Sequence, residues 1–303
     1  LKLGEYYEDL DFETWEVTYV PVSQGVLAGL GHSIDKLAIH ATGKDNIALI
    51  GEINTSSVVR DLGLTNVDIR SEALQTEWGA SGGRNAGALY AAGRWDGLIS
   101  QVFVTGNVSG RSSVGGLGGS TTSMGETSYA VVRKSFSDAS VTMSPASEWD
   151  MGIGGLIAGG SRLHVYSSHA TGEVRGGSSL IGGLVGYLSG YLNPGNYHEL
   201  GSTIQNSYAS GKVTGDAGSS EVGGLIGRYD SGSRYMVFSN NFATGDVIGG
   251  HKVGGLAGEF INSDFRGIYE LLTEPMLAGN PYARGNRTPS LQEPHKCLPL
   301  IPS

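Results

Sequence analysis

Hydrophobic positions along this chain fall in short runs, and five of those runs carry a glycine pair at the same place. They read "SVGGLGG" at 113–119, "GIGGLIA" at 152–158, "LIGGLVG" at 180–186, "EVGGLIG" at 221–227 and "KVGGLAG" at 252–258. Their leucines, Leu117, Leu156, Leu184, Leu225 and Leu256, are spaced by 39, 28, 41 and 31 residues. A second phrase alternates with the first and aligns without gaps: "VFVTGNV" (102–108), "SFSDASV" (135–141), "SHATGEV" (168–174), "SYASGKV" (207–213) and "NFATGDV" (241–247). Its second positions, Phe103, Phe136, His169, Tyr208 and Phe242, are spaced by 33, 33, 39 and 34. Two phrases alternating five times form one unit of about 33 residues with connecting arcs of variable length, which marks a repeat architecture.

Each phrase predicts short strands. In "SYASGKV", alternation places Ala209 and Val213 on one face and Tyr208 on the other. In "VGGLIG", Val222 and Leu225 are three apart, so a straight strand would send them to opposite faces. A corner at Gly223–Gly224 lets both face inward, and glycine tolerates the positive φ of a tight corner. Gly211 and its equivalents Gly106, Gly172 and Gly245 predict a second bend, with Ala139 breaking the pattern in one unit. Short strands and corners repeating in this way predict an all-β, right-handed parallel β-helix (a β-solenoid), whose hand follows the chirality of parallel crossovers. A propeller of antiparallel blades is the rival at this repeat length, but the hairpin signals between long alternating strands are missing.

Weaker copies extend the pattern towards the N-terminus: "NIALIGEI" (46–53), "NAGALYAAG" (85–93) and "VVRDLGLTNVDI" (58–69). With them, about seven coils fit between roughly 20 and 260. Residues 1–45 are expected to hold an N-terminal cap, with the acidic and aromatic "EYYEDLDFETWEV", and the first coil; residues 46–262 the repeats. Residues 263–303 are expected to be a cap remnant and an extended or disordered tail. Six of nine prolines (Pro275, Pro281, Pro289, Pro294, Pro299, Pro302) lie there, and proline cannot continue a strand ladder.

Composition supports the β reading. Fifty of 303 residues are glycine and only 16% are charged, and the β-favouring Val, Ile, Thr and Tyr are plentiful alongside Ser. The net charge of −9 comes with no run of lysine or arginine, which disfavours nucleic acid as a partner. No apolar run approaches the roughly 18 residues of a membrane span. A single cysteine, Cys297, excludes an internal disulfide framework.

The two phrases resemble the GLUG repeat, named for its glycine–leucine–any–glycine core, with "VGGLIG" and "SYATG"-type halves. The stretch 19–40 is similar to the segment that often opens such arrays, here Gly29, Gly31, His32, Ser33 and Ile34 followed by Leu37 and Ile39. GLUG arrays occur in bacterial surface proteins, including filamentous-haemagglutinin-like adhesins and the region upstream of the protease domain in immunoglobulin-A-cleaving metallopeptidases. The resemblance implies a secreted, cell-surface β-helix and transfers no catalytic residue.

The protease association can be tested on the residues. Zinc hydrolysis of the H-E-x-x-H type needs a second histidine one helical turn after the first. "HELGS" supplies His198 and Glu199 but has Ser202 where that histidine should stand. No metal or cofactor is implied. Glycoside cleavage needs two carboxyls about 5–9.5 Å apart. Stacking could gather Asp138, Glu173 and Asp246, although each sits beside a corner where polar residues are expected; Glu148 and Asp150 flank Trp149 in an irregular arc. The column Phe103, Phe136, His169, Tyr208 and Phe242 is expected to stack as an aromatic ladder, either packed or exposed as a contact surface. The arcs carry Trp78, Trp95, Trp149, Tyr187, Tyr191 and Tyr197, candidates for a sugar face or a protein contact.

These readings converge on a non-catalytic extracellular adhesin or structural surface module. Its partner is expected to be a host or environmental glycan or protein, or further copies of itself. The alternatives are a carbohydrate-active β-helix enzyme, lyase or glycosidase, and a non-catalytic region of a larger secreted protease.

Overall fold

The computed structural model describes residues 25–261 apart from 55, 77–78, 123–128, 144–151, 178, 191–199 and 231–234. Most of the expected N-terminal cap and all of the proline-rich tail lie outside the described residues. Among the described residues every regular element is a strand and none is a helix. The sole antiparallel pair there joins Leu74–Thr76 to Gly79–Ser81; the other pairs run parallel.

The glycine-pair phrases form one five-stranded sheet, with Val114–Gly115, Ile153–Gly154, Ile181–Gly182, Val222–Gly223 and Val253–Gly254 as neighbours in chain order. The residues after each pair, with their equivalents at the two weaker copies of that phrase, form a seven-stranded sheet: Ile50–Ile53, Tyr90–Arg94, Gly118–Thr122, Ile157–Ser161, Val185–Ser189, Ile226–Asp230 and Ala257–Ile261. The second phrase and its flanking strands share a third sheet of sixteen strands. Each strand therefore pairs with its counterpart in the preceding and following repeat unit, which makes the fold β-helix-like. Val222, Leu225, Ala209 and Val213 are buried in one continuous apolar core that runs through the units.

The reason for the glycines differs from the expected one. Neither Gly223 nor Gly224 has a left-handed backbone; that conformation belongs to the residue just before the strand, Glu221 (φ 51°), Leu180 (63°), Lys252 (45°), Asn85 (48°) and Asn46 (59°). Such a residue costs about 1–2 kcal/mol when it is not glycine, yet it keeps its rung. The Val222 N–H donates to the Lys252 carbonyl at 3.1 Å, and Ile181 to Glu221 at 3.1 Å. The glycines are required by close approach. A Cβ on Gly223 would collide with the Ile226 carbonyl oxygen in its own turn, and one on Gly224 with the Gly255 carbonyl of the next unit. Across the core the second glycine faces the small residue of the other phrase: Gly183 meets Ala209, Gly155 meets Ala170 and Gly224 meets Ala243. The two phrases recur together because they touch.

The second bend behaves likewise. Gly106 has a φ of 119°, but Gly172, Gly211 and Gly245 are there because a Cβ would strike the carbonyl of the unit before. A further left-handed residue, Gln101, Lys134, Ser167, Asn206 or Asn240, lies two positions before each ring of the second phrase. The N–H that follows it leaves the strand ladder and is captured by a side chain of the next unit: Ser135 N–H by Ser168 Oγ (3.2 Å), Ser168 N–H by Ser207 Oγ (3.2 Å), and Ser207 N–H by Asn241 Oδ1 (3.0 Å). Each hydroxyl donates back to a backbone carbonyl, Ser168 Oγ to Tyr166 O at 2.8 Å. Ser168→Ala is expected to leave the buried Ser135 N–H unsatisfied, while the Tyr166 carbonyl keeps the Lys134 N–H at 3.0 Å, and to cost about 1–3 kcal/mol. Urea unfolding of Ser168→Ala and Ser207→Ala measures it, and losses below about 0.5 kcal/mol in both would refute the role.

Candidate functional site

The register of the sheets decides which polar and aromatic groups meet. Phe103, Phe136, His169, Tyr208 and Phe242 are in direct register along the stack. Their ring centroids lie 5.3, 4.8, 4.7 and 4.9 Å apart in turn, with planes within 11° of parallel. Phe103 covers Gly63, the residue in register before it, where a Cβ would meet the ring. The rings are half-buried except Phe242, which is 43% exposed at the end of the column. A ring in the middle has both faces covered by its neighbours and offers only an edge. Sugars stack on ring faces, so the column is packing along its length and leaves one open face, that of Phe242. Burial lowers the pKa of His169 and the Asp138 charge opposes that shift; the uncharged imidazole is the form the column favours.

The carboxylates grouped by sequence are not gathered. Glu173 and Asp246 occupy one column, as their carbonyls accept from Val141 and Val213, but Lys212 holds the rung between them. Asp138 lies in another column and accepts the Thr171 hydroxyl. Of the "HELGS" residues, His198 and Glu199 lie outside the described residues. Ser202 is buried and serves as a bridge, accepting from Leu163 N–H (3.3 Å) and donating to Ser189 O (2.9 Å). Among the described residues no group of three or more His, Cys, Asp or Glu is placed to hold a metal ion.

The arc aromatics divide. Trp78, Trp149, Tyr191 and Tyr197 lie outside the described residues, as do Glu148 and Asp150. Tyr187 is half-buried on the seven-stranded sheet, with the Arg228 guanidinium 5.9 Å from its ring centroid. Trp95 corrects the expectation that it decorates an exposed arc: it is fully buried and packs edge-on to Tyr90 at 6.0 Å. Gly93 makes the space, since a Cβ there would overlap the indole.

Sequence reasoning passed over a polar groove on the outer face of the seven-stranded sheet, a cavity of about 600 Å³. Its floor is a row of side chains in register, Glu52, Ala92 and Ser120. Beside it run Arg94 and Thr122, also in register, with Asn54 following the strand Ile50–Ile53. Its wall is the left-handed pair Asn46 and Asn85. The wall is ordered: Asn85 Nδ2 donates to Asn46 Oδ1 at 2.8 Å, and Asn46 Nδ2 donates to Glu52 Oε1 at 2.8 Å. The signal in the sequence was the asparagine that opens both "NIALIGEI" and "NAGALYAAG", a residue suited to a left-handed turn.

Comparison with known proteins agrees with the repeat. Residues 177–214 match the GLUG motif. The chain is 36% identical over 134 residues to halomucin of Haloquadratum walsbyi, a match that covers 42% of this chain and only 1% of that protein. Its fold is similar to the crystal structure of a candidate immunoglobulin A1 protease from Bacteroides ovatus, with a TM-score of 0.52 and 17% identity over 78% of this chain and 67% of the other. At that identity the likeness concerns the fold alone.

Proposed function

We propose that this chain is a non-catalytic, extracellular surface module that binds a glycan or a protein, built on a right-handed β-helix of about seven coils. The observation that supports it most is how the repeat uses its own chemistry. The ring faces cover one another, the serine hydroxyls join neighbouring units, and Asp138 takes the Thr171 hydroxyl. The repeating phrases are scaffold, and recognition falls to surfaces where the repeat is not self-satisfied. The GLUG motif and the similarity to halomucin favour placement at a cell surface. A carbohydrate-active enzyme finds no support in the separated carboxylates Glu173 and Asp246.

End-to-end self-association is a second reading with its own observation. Among the described residues Val26, Leu30, Phe242 and Ile248 are the exposed large hydrophobics, and all four belong to the first or last described units. Bare solenoid ends recruit further strands.

The purified chain tests both. Incubation with a glycan array and a panel of glycoproteins is expected to give saturable binding, with no release of reducing ends from any polysaccharide. Release of reducing ends would overturn the non-catalytic reading, and binding to neither panel would overturn the recognition role. Sedimentation velocity at rising concentration is expected to show larger species if the ends associate; a monomer throughout removes the second reading.

A further inference from the structure

We propose that the groove on the seven-stranded sheet is a binding site for a neutral oligosaccharide; this rests on the glycan-binding reading above and gives it a location. Three observations carry it. The first is unspent hydrogen-bonding capacity. Among the described residues the side chains of Asn54, Arg94, Ser120 and Thr122 make no hydrogen bond or ion pair, whereas the serines of the second phrase pair between units. The second is preorganisation. The Asn85–Asn46–Glu52 chain fixes both amides, so Asn85 Oδ1 and the second Glu52 carboxylate oxygen remain as acceptors, while Arg94 offers donors from the adjacent strand. Acceptors on one wall and donors on the other match the vicinal hydroxyls of a pyranose, each of which donates and accepts. The third is shape. Ala92 keeps the floor low between Glu52 and Ser120, and the volume of about 600 Å³ holds about two to three pyranose rings, within the usual range of small-molecule sites.

Charge selects the neutral ligand. Glu52 and Arg94 both line the groove and offset each other, and the chain carries a net charge of −9 that repels polyanions. A peptide would leave the floor without an apolar anchor, since no aromatic or long aliphatic side chain lines this groove among the described residues.

The test uses the full chain, titrated by calorimetry with maltotriose, cellotriose, chitotriose and mannotriose, and with trigalacturonate as the charged comparator. At least one neutral trisaccharide is expected to bind saturably. Arg94→Ala and Glu52→Gln are each expected to weaken it tenfold or more. Ser120→Trp, which fills the floor, is expected to abolish it. Arg94 is solvent-exposed, so Arg94→Ala reports on binding even if Ser120→Trp fails to fold, and thermal melts of all variants check folding. If glycan binding by the wild type survives in Arg94→Ala and Glu52→Gln, the groove assignment is wrong while the surface-module reading stands. Binding of trigalacturonate alone would overturn the neutral-sugar assignment. Absence of any glycan binding by the wild type would overturn the groove proposal, and protein binding would then be the surviving form of the surface-module reading.

Discussion

Gly224→Ala is expected to cost about 3 kcal/mol or more, or to prevent folding, whereas Gly255→Ala at the equivalent position of the last described unit is expected to cost less than about 1 kcal/mol. The two glycines stand in one column, with the same sequence around them, "VGGLIG" and "VGGLAG". A Cβ on Gly224 would run into the Gly255 carbonyl of the following unit, and lies 3.0 Å from Ala243 Cβ across the core. Neither obstacle can retreat. The Gly224 N–H donates to Gly254 O at 3.1 Å, and Leu225 N–H to Leu256 O at 2.9 Å, so the unit spacing is fixed by the strand ladder on both sides of the glycine. Gly255 meets nothing within 4 Å among the described residues, because no further unit follows it there. Urea unfolding of the two variants isolates stacking from local conformation, since both backbones lie outside the left-handed region and carry the same alanine. Equal losses would mean that the glycine pair serves its own turn rather than the contact between units. Small losses in both would mean that the stack can dilate by the width of a methyl group.

That distinction is where reading the sequence was incomplete. The phrases, their alternation, and the inward aim of Val222 and Leu225 follow from spacing alone, because β alternation and corner placement are local properties. The reason for the glycines does not, since it depends on what the next unit places against them. A glycine needed for φ and a glycine needed for clearance look identical in one dimension. The left-handed residues show the converse: Glu221, Leu180 and Lys252 have no compositional mark of a turn, and only the fixed ladder on both sides holds them there. The groove was hidden for a related reason. Glu52, Ala92 and Ser120 are separated by 40 and 28 residues, so their row emerges only once the arc lengths between units are converted into register. The aromatic column was legible because its phrase aligns without gaps and its register follows directly.

Trp95→Ala is expected to cost about 3–5 kcal/mol, while the fraction that stays folded keeps the glycan binding proposed for the groove. An exposed arc tryptophan that contacts ligand would give the opposite result, lost binding at unchanged stability. The expectation for Trp95 follows from its surroundings. Its side chain fills the interior volume left by Gly93, its ring meets Tyr90 edge-on at 73°, and Tyr90 is itself held by a hydrogen bond to Thr121 at 2.7 Å. Removing the indole opens a cavity beside two residues that cannot collapse into it, since Tyr90 and Thr121 belong to strands paired on both sides. Trp95→Phe separates the packing from the polar cost. The indole N–H has no partner among the described residues, and an unsatisfied buried donor costs about 1–3 kcal/mol. Phenylalanine removes that donor and keeps most of the apolar volume, so its loss is expected to be less than half that of alanine. A melt in which Trp95→Phe loses as much as Trp95→Ala would refute the packing role and place the value of this residue in the indole N–H.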